Sequence, residues 1–224
     1  MSRQNRSDPA RSDPVKDRDR ALELIAVSHE TKARLDRFAD LLKHWQKSIN
    51  LISPATLPQL WTRHIADSLQ LLALVPEAKI WVDLGAGGGF PGIAIACALA
   101  ERPGAMVHLV ESNQKKAAFL REAIRVTETP AQVHAMRIED FMARFSGPAD
   151  VVSARALASL NNLFAEAYPL LKKGAIGLFP KGQDVGAELT EASKCWKIEY
   201  RLRPSLTSPD GHIVLVDALD KAPA

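Results

Sequence analysis

Trp81-Val82-Asp83-Leu84-Gly85-Ala86-Gly87-Gly88-Gly89-Phe90-Pro91-Gly92 is the stretch from which the rest of the chain can be read. An apolar run of strand character passes into five glycines within eight positions and then into a helical pattern. Glycine permits positive φ and lets a ligand approach the backbone, and the following helix N-terminus offers unpaired N–H groups. Two ligand registers compete. Gly87–Gly92 fits the dinucleotide pattern G-x-G-x-x-G. Asp83–Gly89 fits acidic-x-G-x-G-x-G, the loop of enzymes that bind S-adenosylmethionine. The second register starts directly at the strand end, whereas the first begins two residues late and leaves no room downstream for a dehydrogenase substrate domain.

Outward from the loop, short β-rich runs (Ile80–Leu84, Met106–Glu111, Gln132–Arg137, Asp150–Ala154, Ala175–Pro180) alternate with helical segments. The helical patterns fall near Pro91–Ala100, Gln114–Thr127, Asp140–Phe145, Ser159–Leu171 and Val185–Cys195. Such alternation predicts βαβ units, a parallel sheet and helices on both faces. Lys197–Arg203 and His212–Leu219 are separated only by Pro204–Gly211, so they must form an antiparallel hairpin at one sheet edge. A parallel sheet closed by such a hairpin is the Rossmann-like class I methyltransferase architecture. Leu35, Phe38, Leu41, Leu42 and Trp45 form one helical stripe, and Leu60, Trp61, Ile65, Leu69 and Leu72 another. The expected organisation is a disordered tail over 1–20, a helical region over 21–76 packed on the core, and the catalytic domain over 77–224.

The chain of 224 residues carries 29 basic and 26 acidic side chains. The first 20 residues hold six of the bases and four of the acids, so the body is nearly neutral and bulk charge does not announce a nucleic-acid partner. No apolar run reaches the ~18 residues of a membrane span, and no secretory core opens the chain. With Cys97 and Cys195 alone, neither a disulfide framework nor a cysteine-built metal centre is expected. No metal site and a cytoplasmic location are the resulting expectations.

Residues at the strand ends supply the candidate site. Gly85, Gly87 and Phe90 belong to the loop. Glu111 ends the second strand, where a carboxylate accepts from both ribose hydroxyls. Arg137-Ile138-Glu139-Asp140 follows the third, where Glu139 or Asp140 accepts from an adenine amino group or caps the next helix. Arg155 follows the fourth and points into the cleft, suited to a carboxylate, a phosphate or a guanine edge. The Asn/Asp-Pro-Pro-aromatic motif of exocyclic-amine methylation is absent after the fourth strand, which reads Ser153-Ala154-Arg155-Ala156. Neither cysteine sits at a strand tip as a nucleophile for pyrimidine carbon methylation would. What remains is transfer to an atom that already bears a lone pair, of which guanine N7 is one. That chemistry needs alignment and exclusion of water and no general base. A nicotinamide oxidoreductase and a non-catalytic RNA- or ribosome-binding module stand as the other readings.

Lys43-His44-Trp45-Gln46-Lys47-Ser48-Ile49-Asn50-Leu51, Arg63-His64-Ile65-Ala66-Asp67-Ser68, Asp83–Gly92, Ser153–Leu160 and Pro180-Lys181-Gly182 together resemble the glucose-inhibited division protein B family. The resemblance runs from about Leu35 to Val216. It implies a bacterial 16S rRNA guanine-N7 methyltransferase that uses S-adenosylmethionine on the decoding-region loop of the 30S subunit; a monomer without membrane contact is the accompanying expectation. It further implies that Gly85, Phe90, Ile138, Glu139 and Arg155 hold the cofactor, which favours Glu139 over Asp140. Arg63, His64 and Lys181 become candidate RNA contacts. Gly211 stands where members often carry a basic residue before the histidine, here His212, which weakens a role for that turn.

Overall fold

The computed structural model describes residues 13–155 and 158–222. Seven strands, β1 (Ile80–Leu84), β2 (Met106–Val110), β3 (Ala131–His134), β4 (Val151–Ala154), β5 (Ile176–Lys181), β6 (Trp196–Pro204) and β7 (His212–Lys221), form one sheet. Their order is β3-β2-β1-β4-β5-β7-β6. The first five pair in parallel, and β7 inserts antiparallel between β5 and β6. The predicted α/β class with its terminal hairpin is therefore the observed one.

Successive strand side chains face opposite sides, and the two cores follow from that alternation. Trp81, Val107 and Leu109 pack on one face with the helices α2 (His29–Trp45), α4 (Gly92–Leu99) and α5 (Gln114–Thr127). Val82, Leu84, Val110 and Val152 pack on the other with α6 (Ile138–Arg144), α7 (Leu160–Leu171) and α8 (Val185–Ala192). Helix α4 is apolar throughout and almost wholly buried, as a helix enclosed on all sides must be. Helix α2 covers it with Leu35, Phe38 and Leu42, each fully buried, while Ser28 caps its start by accepting from Thr31 N–H.

Two expectations need correction. The expected tail 1–20 is ordered from Asp13 onward, because α1 (Pro14–Leu24) is a helix capped by Asp13. Its charges look solvated in sequence, yet Asp17 is buried and accepts from Trp61 N–H at 2.8 Å and from the Thr62 hydroxyl. Arg18 makes a two-pronged pair with Asp36 and lies over the Trp61 ring. Composition cannot foresee partners so far along the chain. Residues 1–12 of that expected tail lie outside the described residues. The third strand, expected to reach Arg137, stops at His134, because its partner β2 ends at Val110, opposite His134. Arg137 is instead the cap of α6, so Ile138 and Glu139 open a helix.

Between α2 and β1 the chain runs as a 3₁₀ turn (Pro54–Gln59), a π-helical turn (Trp61–Ala66), α3 (Asp67–Leu69) and a second 3₁₀ turn (Gln70–Leu74). Wide π turns of this kind concentrate at functional sites. This one carries His64.

Candidate active site

The sheet order reverses between β1 and β4, and open α/β sheets bind ligands beyond the carboxyl ends of strands at such a point. A cleft of about 560 Å³ lies there, lined by the glycine loop, Leu51–Ser53, Glu111, Ile138, Glu139 and Arg155. Asp140 is not among its lining residues, so of the two acids it is Glu139 that faces the cleft.

Gly87 has a φ of 52°, a left-handed conformation that glycine adopts without strain. Its N–H donates to Glu111 Oε2 at 2.9 Å, and Asn113 N–H donates to Oε1 at 2.7 Å. A carboxylate has about four acceptor sites, so Glu111 keeps capacity for two hydroxyl hydrogens. At Gly92 the constraint is space: a Cβ there would stand 2.2 Å from Leu109 Cδ2 and 2.7 Å from Asp83 Oδ2. Asp83 itself accepts from Gly92 N–H at 2.9 Å and from the Ser153 hydroxyl at 3.0 Å. It thereby ties β1 to the start of α4 and to β4. Burial pushes its carboxyl up to about 7, against the pull of those two donors. The acid of the glycine motif is thus a brace beneath the loop.

The wall opposite the loop is set by Gln46. Its amide oxygen accepts from Leu51 N–H and Ile52 N–H at 3.0 and 3.1 Å, and its nitrogen donates to Ile52 C=O at 2.8 Å. Glu166, on α7, also lines the cleft, and its buried Oε2 has no hydrogen-bond partner among the described residues. An orphaned acceptor, a half-used carboxylate at Glu111 and a loop with left-handed glycines fit a ligand that brings amino and hydroxyl donors. S-adenosylmethionine is such a ligand.

Arg155 closes the far end of this cleft. Its Nη1 donates to Arg63 C=O at 3.0 Å and to Asp67 Oδ2 at 3.2 Å, its Nη2 donates to His64 Nδ1, and its guanidinium lies 5.4 Å from the Phe90 ring centroid. Since a guanidinium only donates, His64 Nδ1 is the acceptor and its proton sits on Nε2, donated to the Thr56 hydroxyl at 2.8 Å. Burial, reinforced by the Arg155 and Arg63 charges, holds His64 down at about 3, so the ring is neutral.

Thr56, His64 and Arg155 also line a second cleft of about 360 Å³, which makes them the partition between the two. The far side of the second cleft is the turn between β6 and β7. Thr207 donates its hydroxyl to Asp67 Oδ1 at 2.6 Å, and Leu206 N–H donates to Gln70 Oε1 at 2.8 Å, so the turn is fastened to α3 and its neighbour. Lys181 lines this cleft as well, but its ammonium is held by Glu188 at 2.8 Å and Ala158 C=O at 2.7 Å. Arg63 has an exposed side chain at the mouth.

The structure thus gathers Gly85, Gly87, Phe90, Glu111, Ile138, Glu139 and Arg155 around the first cleft and Arg63, His64 and Lys181 around the second. Sequence reasoning missed Gln46, Thr56, Glu166, Ser205 and Thr207, and gave Asp67 no task. The only signal for Asp67 was its three- and four-residue spacing from His64 and Arg63.

The family model described as rRNA small subunit methyltransferase G matches residues 31–214. Two curated relatives bear the name ribosomal RNA small subunit methyltransferase G. The one from Bradyrhizobium sp. (strain ORS 278) is 59% identical over 212 residues, covering 95% of this chain and 96% of that protein. The one from Rhodopseudomonas palustris (strain BisB18) is 56% identical over 220 residues, covering 98% and 94%. Among solved structures, an O-methyltransferase from Bacillus cereus in complex with SAH aligns at a TM-score of 0.59 with 15% identity, covering 92% of this chain and 98% of that one. The O-methyltransferase TomG from Streptomyces achromogenes, in complex with SAM, aligns at 0.56 with 18% identity, covering 97% and 100%. At such identities these two structures speak for the fold.

Proposed function

The chain belongs to the rRNA small subunit methyltransferase G family, and from that premise we propose that it transfers a methyl group from S-adenosylmethionine to N7 of a guanine in the 16S rRNA of the 30S subunit. Methylation of small-subunit rRNA with S-adenosylmethionine is the activity of the family; the guanine N7 position is the finer reading. The observation that carries it is the chemistry of the partition. The groups between the two clefts are a guanidinium, a neutral imidazole held at about 3 and a hydroxyl, so none is poised to take a proton near neutral pH. Cys97 is buried and its thiol is pushed up to about 12, which removes it as a nucleophile. Guanine N7 carries a lone pair at neutral pH and needs neither.

When bound, the cofactor supplies an electrophilic methyl group on sulfur. The residues of the chain do the rest by holding and orienting. Glu111 accepts from the ribose hydroxyls, and the Ile138–Glu139 turn meets the adenine. Phe90 and Arg155 bound the end of the cleft towards the substrate and keep bulk water from the transfer path. Arg155 is fixed by three partners, so it presents a rigid wall, and in-line transfer is then a matter of proximity and orientation. We read the protein as a monomer that works in the cytoplasm, where a ribosomal substrate is met. Among the described residues no helix is long and apolar enough to cross a membrane.

The test is incubation of the purified protein with methyl-labelled cofactor and 30S subunits that lack the modification. Label recovered as N7-methylguanine in the decoding-region loop is the expected outcome. Label on another atom or another nucleotide would reject the N7 reading.

A further inference from the structure

The second cleft is contiguous with the first through Thr56, His64 and Arg155, and at about 360 Å³ it is of a size that holds a nucleobase. Its charged side chains are Arg63, Asp67, Arg155 and Lys181. Arg155 and Lys181 are already engaged with protein partners. Arg63 is exposed at the mouth, where a guanidinium meets phosphate and not a base edge. Asp67 differs. Gln70 Nε2 at 2.8 Å, the Thr207 hydroxyl at 2.6 Å and the Ser205 hydroxyl at 3.5 Å occupy Oδ1, whereas among the described residues Oδ2 accepts only from Arg155, at 3.2 Å. A carboxylate oxygen commonly accepts twice, so Oδ2 retains one acceptor position on a carboxylate that four partners hold still.

Resting on the guanine reading above, we propose that the second cleft seats the target guanine, flipped out of its RNA, and that Asp67 selects it, Oδ2 accepting from the 2-amino group. Enzymes that act on a base commonly take it out of the stack and read its Watson–Crick edge in a pocket. The 2-amino group projects furthest from that edge and distinguishes guanine from adenine, whose 2-position bears only hydrogen. A carboxylate acceptor there rewards guanine and leaves N7, on the opposite edge of the ring system, unengaged for the methyl. The turn Ser205–Thr207 is then part of the specificity wall, since its Thr207 hydroxyl fixes Asp67 from the hairpin side.

The experiment compares 30S subunits reconstituted with 16S rRNA carrying guanine or inosine at the methylated position; inosine lacks only the 2-amino group. The wild-type chain should show a kcat/KM roughly 10-fold lower for inosine. Asp67→Asn keeps one oxygen for the Gln70 and Thr207 donors and puts an amide NH2, a donor, in place of Oδ2. It should lower the rate on guanine and bring the guanine-to-inosine ratio to about 1, while equilibrium dialysis with labelled cofactor gives an unchanged Kd. A merely structural Asp67 would depress both substrates together and keep the ratio. Equal rates on the two substrates for the wild type, or an undiminished ratio in Asp67→Asn, overturns the assignment. Should Asp67→Asn not fold, the wild-type ratio still decides, together with a photocrosslink from 6-thioguanine at the target position. That crosslink should fall within 60–67 or 204–213; a crosslink only to residues that line the first cleft alone overturns the seat. No methyl on guanine subunits at all would instead remove the reading on which this one rests.

Discussion

The two clefts meet at Arg155 but are built by different means. The first is made of backbone and strand ends: a left-handed glycine, N–H groups donated to Glu111, and Asp83 bracing the start of α4 from below. The second is made of side chains reaching one another from three remote segments, with Asp67, Arg155 and Thr207 meeting across 88 and 140 positions of sequence. A backbone-built site is rigid and tolerates few substitutions. A site built from side-chain contacts can be altered group by group. On the reading proposed above, the first would hold what every methyl transfer shares, and the second what distinguishes one substrate from another.

Four measurements break or sharpen that contrast. Gly92→Ala should be the most damaging, since the new Cβ has no space beside Leu109 and Asp83; a loss of about 3 kcal/mol is expected in denaturant unfolding. Next come opposite pH responses of the two regions. Asp83 has a folded value near 7, above its ordinary 3.8, so its contribution to stability is complete below about 4 and is lost as pH rises through 7. His64 has a folded value near 3, below its ordinary 6.5, so its contribution is present above 6.5 and is lost as pH falls towards 3. Relative to wild type, Asp83→Asn should therefore gain stability with rising pH, by at most about 1.4 kcal/mol per pH unit between 4 and 7. His64→Asn should gain in the acid direction. Parallel slopes for the two variants would contradict the assignment.

Arg155→Ala, at the junction, should lower methyl transfer on the order of 100-fold, the scale of a misplaced reacting pair, while the chain still melts cooperatively. Retained activity would remove Arg155 from the partition. Gln46→Ala should be the mildest. It frees the Leu51–Ile52 wall and weakens cofactor binding roughly 10-fold by equilibrium dialysis, a loss that matches one or two backbone hydrogen bonds.

The same contrast explains what could be read from sequence. Asp83–Gly92 is contiguous, and glycine spacing after an apolar strand reports local backbone geometry, so fold and loop were both legible there. Glu111 and Arg155 could be placed at the cleft because strand ends in a parallel sheet converge on one edge, whereas Ile138, and Glu139 over Asp140, came from the family resemblance; all four line the first cleft. Asp67 and Thr207 were not, since their meaning depends on how α3 and a distal hairpin turn dock, and that is a long-range event without a periodic signature. Lys181 was legible as a cation, but its engagement with Glu188 was not. Gln46 stood inside a recognised motif with its task hidden, because a side chain that caps a loop five and six residues ahead looks in sequence like any surface polar group.

Helix α1 carries a practical corollary. Asp17 holds the Trp61 and Thr62 N–H groups at the head of the turn that bears His64, so helix α1 is tied to the wall between the two clefts. Shortening the gene product to residue 21, where charge-rich composition gives way to apolar periodicity, would delete that clasp and slacken the wall between the two clefts. A purification tag or an engineered protease site belongs ahead of Asp13, and limited proteolysis between α1 and α2 would silence the enzyme without touching any residue that meets cofactor or RNA.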